Sequence, residues 1–221
     1  MIQAVLKNKI STNVRASLKI IEDTLTSSVI GSLLLLPSDI FVKILSEASY
    51  NKFDDLNYGK LEYFEFWPKW NVKDIEEVDN SNYVEPDVFI RFENVDIIIE
   101  AKRYDDNQQS ESQWRKEIIA YKKEYEKDKR EIVFLAIGGI RSEKIEEIED
   151  ENVYKIRWKE ILYQINNYIE NSKYIDRCES IPRVLQMAKD GLELHGFLSI
   201  KWFKDLKNID IDSKGIEKWK I

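Results

Sequence analysis

The residues with the clearest chemical potential lie in one segment, residues 85–102, with the sequence EPDVFIRFENVDIIIEAK. Asp87 stands near the start of this segment, and Glu100 and Lys102 stand at its end. Carboxylate oxygens bind divalent cations, and an ammonium group stabilises negative charge on a phosphoryl group. Two carboxylates and an amine are therefore the groups that metal-assisted hydrolysis of a phosphodiester needs. The segment predicts such a site if folding brings the three side chains together.

The apolar pattern of this segment predicts an antiparallel hairpin that turns at residues 93–94. A symmetrical turn leaves one face of the hairpin wholly apolar, and a register slip of one residue would expose that face. The other face then pairs Asp87 with Glu100, and Lys102 projects from the same face. Directly opposed carboxylates, with Cβ atoms about 4.5–5.5 Å apart, repel each other. A bound divalent cation would remove that repulsion.

A simpler interpretation is that these acids are ordinary exposed residues of a hairpin. Arg91 opposite Asp96 illustrates it, because a surface ion pair of little energetic value explains both residues. Asp87 and Glu100 differ from that pair, since no cation of the hairpin lies directly between them. Spacing alone leaves both interpretations open.

Composition limits the available chemistry. The chain has 221 residues, 34 Lys and Arg against 41 Asp and Glu, and a net charge of −7, so bulk charge does not attract nucleic acid or anionic lipid. A single cysteine, Cys178, excludes an internal disulfide and favours a reducing cytoplasm. A single histidine, His195, excludes mechanisms that need two imidazoles. Carboxylate and lysine chemistry remains.

Several conspicuous residues have simpler structural interpretations. His195 precedes a glycine after a predicted helix, which favours packing or capping over metal binding. Gly138-Gly139 lacks the GKS or GKT sequence of a phosphate loop. The six tryptophans are predicted to anchor the core and interfaces rather than to stack on bases.

The hydrophobic pattern predicts one mixed α/β domain over residues 1–221, with helices flanking a central mixed sheet that includes the antiparallel hairpin. The longest apolar run, residues 29–36, is far shorter than the roughly 20 residues that span a membrane, so we expect a cytoplasmic protein without membrane contact. The predicted helices cover about residues 13–25, 38–45, 110–127 and 158–169, with one more from about 181. The predicted strands cover residues 61–67, 87–92, 95–102, 132–137 and 153–156.

Pro86-Asp87, followed after a gap of twelve residues by Glu100-Ala101-Lys102 on a strand pair, resembles the PD-(D/E)XK nuclease superfamily. The element order of helix, three strands, helix and strand is similar to the restriction-endonuclease-like core of that superfamily. The resemblance covers about residues 13–138. The C-terminal extension, about residues 140–221, lies outside the resemblance and is predicted to form a helical annex.

The resemblance implies a role for each residue of the motif. Asp87 and Glu100 are expected to be metal-binding carboxylates, and the main-chain carbonyl of Ala101 is expected to be a further ligand. Lys102 is expected to position or activate the attacking water and to stabilise charge in the transition state. The implied cofactor is Mg²⁺, with Mn²⁺ as a substitute.

Other members of the superfamily contribute residues from two helices. Many members carry an acid on the first core helix, and Glu22 is the candidate for it in this sequence. Alternatively, Glu22 lies at the edge of the buried apolar stripe of that helix, and its carboxylate reaches water. RecB-like members carry a glutamine and a tyrosine on the helix after the motif. Gln113 and Tyr121 lie on that helix in this sequence. Alternatively, Gln113 is a plain surface residue and Tyr121 packs in the core.

The implied function is an endonucleolytic DNA nuclease of restriction, defence or DNA processing, acting as a homodimer or with a protein partner. DNA contacts would come from cations near the motif, with Lys201, Lys204 and Lys207 as a second group. The cations near the motif are Arg103, Arg115, Lys116, Lys122, Lys123, Lys127, Lys129 and Arg130. The acids interleaved with them equally predict a solvated face with local ion pairs. The alternative function is an inactive nuclease-fold protein that binds DNA or a partner within a larger complex, which the acidic net charge favours.

Overall fold

The computed structural model describes residues 22–73, 83–104, 107–128, 130–170 and 178–198. Within these residues, five helices and eight strands form a mixed α/β fold. The helices are α1 (Glu22–Leu33), α2 (Ser38–Ala48), α3 (Glu111–Glu124), α4 (Trp158–Glu170) and α5 (Ser180–Leu194). The strands are β1 (Leu61–Phe66), β2 (Trp70–Asn71), β3 (Tyr83–Val84), β4 (Val88–Phe92), β5 (Val95–Ala101), β6 (Glu131–Ile137), β7 (Glu146–Ile148) and β8 (Glu151–Ile156). None of the described helices is long and apolar enough to cross a membrane.

Six strands form one mixed sheet in the order β1-β4-β5-β6-β8-β7. β1, β4 and β5 are antiparallel neighbours, β5, β6 and β8 run parallel, and β7 pairs antiparallel with β8 at the far edge. Because β5 and β6 are parallel, the chain must cross between them, and α3 forms that crossing. β2 and β3 pair separately as a two-stranded sheet.

The central strands are buried on both faces because a layer of structure covers each side of the sheet. Ile97 and Ile99 of β5 face a core shared with α1, α2, α4 and α5, whereas Ile98 faces a second core with α3 and Trp70 of β2. This double burial accounts for the continuous apolar runs of β5 and β6. The C-terminal elements contribute to the first core, since β8 extends the same sheet and α5 packs against α1.

Most predicted elements are confirmed, including the hairpin register. Val88 pairs with Ile99, and Ile90 pairs with Ile97, as burial of the apolar face requires. The predicted end of the first helix at residue 25 is wrong: α1 continues to Leu33, because Val29, Ile30 and Leu33 extend its buried stripe. The predicted start of that helix near residue 13 lies outside the described residues. The strands β2, β3 and β7 were not predicted, since they are two or three residues long.

Candidate functional site

The strand registers bring the predicted acids to one end of the sheet. The main-chain N–H of Trp67 donates to the carbonyl of Asp87 (3.0 Å) and so continues the β1–β4 ladder by one residue beyond the strands. The pairing of β4 with β5 likewise sets Asp87 beside Glu100. A cleft of about 520 Å³ opens here. It is lined by all five predicted side chains, Glu22, Asp87, Glu100, Lys102 and Gln113, together with Asp23, Trp67, Lys69 and Glu85.

Asp87 is held by donors from the strands on either side of it. Its Oδ2 atom accepts the main-chain N–H of Ala101 (2.7 Å), and its Oδ1 atom accepts the indole N–H of Trp67 (3.3 Å). The residue is only 8% exposed. Burial and then the charge of Glu100 raise the pKa of Asp87 to about 7, although Ala101 N–H and Lys102 act in the opposite direction. A proton therefore competes with any cation for this carboxylate near neutral pH.

Glu100 and Lys102 form a partly buried ion pair in the cleft. The Lys102 ammonium contacts Glu100 Oε1 and lies 3.2 Å from Glu22 Oε1. Burial raises the pKa of Glu100, and Lys102 partly counteracts this. Burial lowers the pKa of Lys102, but Glu100 and Glu22 outweigh burial, so its pKa is raised and the amine stays charged. Lys102 thus relieves part of the repulsion that spacing alone attributes to the acids.

The main chain of Lys102 is fixed on both sides. Its N–H donates to the Ile137 carbonyl (2.7 Å), and its carbonyl accepts the indole N–H of Trp158 (2.8 Å). Gly138, with φ of 68°, lies so close that an added Cβ would be 2.1 Å from the Lys102 oxygen. Only glycine fits this approach, so the Gly138-Gly139 pair serves packing against Lys102.

Glu22 reaches the cleft from the first described turn of α1. Besides its ion pair with Lys102, it accepts the main-chain N–H of Arg103 through Oε2 (3.2 Å). The same turn of α1 is tied to the end of α5, where His195 Nε2 lies 2.9 Å from Thr24 Oγ1. His195 Nδ1 lies 2.8 Å from the carbonyl of Gly191, so this buried histidine has a packing role, as predicted. The C-terminal helix therefore helps to position Glu22.

Helix α3 supplies one predicted residue and one that the sequence analysis missed. The amide of Gln113 donates to Glu100 Oε1 (2.7 Å). Glu117, one turn later, is 1% exposed and interacts with Glu100 and Gln113, and its Oε2 atom has no hydrogen-bond partner. Glu117 is one of the acids interleaved with the cations of this helix, and the alternative of a solvated face is wrong for this residue. Gln113, Glu117 and Tyr121 follow one another at four-residue spacing on one helix face, which is the signal that identifies it.

The predicted ion pair of Arg91 and Asp96 is confirmed, but its predicted surface location is wrong, because both residues are buried. Arg91 Nη2 lies 2.6 Å from Asp96 Oδ2, and the Tyr121 hydroxyl donates to the same oxygen (2.7 Å). The Arg91 guanidinium also stacks over the ring of Tyr125 at 4.1 Å. This network shares the α3 face of the sheet with Glu100, and the predicted core packing of Tyr121 is confirmed.

Several of the cations predicted to guide DNA are paired with nearby acids. Ion pairs join Arg115 to Glu149 (3.2 Å), Lys122 to Glu151 (2.9 Å) and Arg130 to Glu62 (3.0 Å). The partners of these three pairs lie on other segments of the chain, so the predicted local pairing within the helix is not what these cations show, although Arg130 also pairs locally with Asp128 (3.1 Å). Lys129, Lys201, Lys204 and Lys207 lie outside the described residues.

The donors at the cleft fit a hard divalent cation better than a softer metal. Asp87 and Glu100 offer carboxylate oxygens, and Ala101 adds a main-chain carbonyl beside Lys102 Nζ (3.1 Å). Within the described ranges, no three His, Cys, Asp or Glu side chains form a ready-made cage for a metal. Mg²⁺ does not require such a cage, because one or two carboxylates with water and substrate phosphate are its usual ligands in proteins.

Glu117 gives a prediction for stability. Burial, followed by the charge of Glu100, raises its pKa well above the ordinary value, so the folded protein holds this proton at pH values where the unfolded chain has lost it. Stability is therefore lost as pH rises above about 4.5. Glu117→Gln should be more stable than the parent at pH 8 by about 1–3 kcal/mol, several degrees in Tm, with a smaller difference at pH 4.

Thermal unfolding followed by circular dichroism across this pH range measures the effect. Glu124→Gln removes an exposed acid from the same helix and is the matched control, with no expected pH-dependent gain. A Glu117→Gln variant that is less stable than the parent at pH 8 would contradict the prediction.

Comparison with known proteins finds a relative that covers most of this chain. The Uncharacterized protein PM0110 of Pasteurella multocida (strain Pm70) is 30% identical over 212 residues, which cover 86% of this chain and 76% of the relative. The chain belongs to the same family as that protein. No protein-family model matches the chain, and no solved structure matches it significantly.

Proposed function

We propose that this protein is a Mg²⁺-dependent nuclease that hydrolyses phosphodiester bonds of DNA and has a restriction-endonuclease-like fold. The observation that carries the proposal is the convergence of Asp87, Glu100 and Lys102, from two neighbouring strands, on one cleft. Apart from α2 and the separate pair of β2 and β3, the order of a helix, the three antiparallel strands β1, β4 and β5, the crossing helix α3 and the parallel strand β6 supports that fold.

Each residue has a role in the proposed reaction. Asp87, Glu100 and the carbonyl of Ala101 would hold the cation, which when bound polarises the phosphoryl group and lowers the pKa of a water molecule. Lys102 supplies a fixed positive charge that stabilises negative charge developing on the phosphate. Gln113 orients Glu100 through its 2.7 Å hydrogen bond. Glu22 keeps the Lys102 amine charged and directs it toward the cleft.

A digestion panel tests the proposal. Purified protein is incubated with plasmid, duplex and single-stranded DNA oligonucleotides and RNA, in Mg²⁺, in Mn²⁺ and in chelator. We expect DNA cleavage with either metal and none with chelator. Asp87→Asn and Glu100→Gln should each abolish cleavage, whereas Glu85→Gln, which lines the same cleft but pairs with exposed Lys69, should retain it.

Calorimetric titration with Mn²⁺ measures the site without relying on activity. It should be performed at pH 8, because the pKa of Asp87 near 7 lets protons compete at lower pH. We expect a single site in the parent protein that is lost in Asp87→Asn. Failure to bind metal and failure to cut any substrate would together refute the proposal.

The alternative is an interaction protein that has the nuclease fold without its chemistry. The net charge of −7 and the pairing of α3 cations with acids favour it, because both weaken the attraction of this surface for DNA. Absence of metal binding, together with no cleavage of any substrate in the panel, would support this alternative over the nuclease.

A further inference from the structure

Trp67 has a main-chain conformation that a bulky residue rarely adopts. Its φ angle is 52°, in the left-handed region that disfavours side chains with a Cβ atom. Pro68 follows it and further restricts the residue before it. Such a conformation costs about 1–3 kcal/mol and persists only where surrounding contacts impose it. The contacts made by Trp67 must therefore compensate for this strain.

The contacts that impose this conformation converge on Asp87. The main-chain N–H of Trp67 donates to the Asp87 carbonyl (3.0 Å), and its indole N–H donates to Asp87 Oδ1 (3.3 Å). The indole ring packs on Phe66 with centroids 5.5 Å apart, which holds the ring at the edge of the cleft. One residue thus fixes both the main chain and the side chain of Asp87.

The two oxygens of Asp87 are held from opposite sides. Ala101 N–H, on β5, binds Oδ2, while Trp67, at the end of β1, binds Oδ1. A carboxylate has about four acceptor positions, so each oxygen keeps capacity for a cation after accepting one donor. The carboxylate cannot rotate about its χ2 bond without breaking one of these hydrogen bonds. Among aromatic side chains, only tryptophan combines a large apolar ring with an obligatory N–H donor.

We propose that Trp67 is a positioning residue that locks the Asp87 carboxylate in the orientation that binds the divalent cation. This inference rests on the proposed function, since it concerns the same metal site. Partners that orient metal ligands typically contribute 10–100-fold to metal affinity. Trp67 lies outside residues 85–102, so the spacing of residues within that segment does not indicate this role.

The test compares Trp67→Phe, which keeps an aromatic ring but removes the indole donor, with the parent protein. We expect Mn²⁺ affinity, measured by calorimetry at pH 8, to fall 10–100-fold with little change in Tm. Tyr63→Phe is the matched control, because it removes a polar hydrogen from β1, the strand that leads to Trp67, at a hydroxyl that hydrogen-bonds to Tyr125 away from the cleft. The control should bind Mn²⁺ as the parent does.

A second measurement uses the parent protein and does not depend on the folding of a variant. The protein has six tryptophans, so its ¹H–¹⁵N NMR spectrum contains six indole N–H signals, which single substitutions assign. The Trp67 signal should shift during titration with Mg²⁺, giving the same Kd as a calorimetric titration with Mg²⁺, and should not shift in Asp87→Asn.

The two proposals fail in different ways. If the parent binds no divalent metal and cuts no substrate, the proposed function and the positioning role of Trp67 both fail. If the parent binds metal in an Asp87-dependent manner but Trp67→Phe binds it equally well, or the Trp67 signal does not move, then only the positioning role of Trp67 is overturned.

Discussion

Replacing Lys102 with alanine should reduce the rate of DNA cleavage at saturating Mg²⁺ by at least about 100-fold, the loss typical for one preorganised charge at a developing oxyanion. The amine is held beside Glu100 and Glu22 with its pKa raised, so it is fully charged at the pH of the assay. Single-turnover cleavage of a labelled oligonucleotide measures the effect. Metal affinity should not fall, because the substitution removes a positive charge and no oxygen ligand.

The control for this prediction is Lys69→Ala, because Lys69 lines the same cleft but is exposed and interacts with the exposed residues Glu85 and Tyr83. Its cleavage rate should stay within a few-fold of the parent rate. Because Lys102→Ala leaves Glu100 without its ion-pair partner, Tm should be recorded with and without Mg²⁺ to separate loss of folding from loss of chemistry. Full activity in folded Lys102→Ala would remove the proposed role.

Replacing Arg91 with alanine should destabilise the protein by about 3–5 kcal/mol, which is the cost of leaving a buried acid without its ionic partner. Asp96 is 0% exposed and would keep only the hydroxyl of Tyr121 among the contacts described above. The substitution also removes the stacking of the Arg91 guanidinium on the ring of Tyr125. Chemical denaturation with urea, at a pH where the parent unfolds in two states, measures the difference.

Arg115→Ala is the matched control for Arg91, since its ion pair with Glu149 is 57% exposed on the arginine side. Exposed pairs contribute about 0–1 kcal/mol, so this variant should unfold close to the parent. The double variant Arg91→Met/Asp96→Leu removes both charges and should recover part of the loss. Equal stability of Arg91→Ala and Arg115→Ala would show that the buried network contributes little.

The hairpin and the placement of its three functional side chains could be predicted because the residues that determine them are close together in the sequence. A single apolar face fixes the register of β4 against β5, and that register sets Asp87 opposite Glu100. Lys102 follows by the two-residue repeat of a strand. The approach of Glu22 and Gln113 to Glu100 or Lys102 is also found in the structure, although their chemical roles remain proposals.

The parts that could not be predicted depend on packing between distant segments. The burial of Arg91 and Glu117 follows from α3 covering this face of the sheet, and charge alone suggested exposure. The contact of Trp67 with Asp87 requires the register of β1 against β4, which the sequence does not specify. The tie between His195 and Thr24 joins residues 171 positions apart.

The fixed main chain at Lys102 has a consequence for the timescales on which this site can rearrange. Its main-chain N–H donates a hydrogen bond to the Ile137 carbonyl, and its carbonyl accepts one from the Trp158 indole and packs against Gly138. A shift of this segment would require the sheet to open locally, a microsecond-to-second event. The amine of Lys102, by contrast, is held only through its side chain, by Glu100, Glu22 and the carbonyl of Ala101, so a rotamer change can move it without opening the sheet. Adjustment of the amine to an arriving ligand is therefore decoupled from backbone motion.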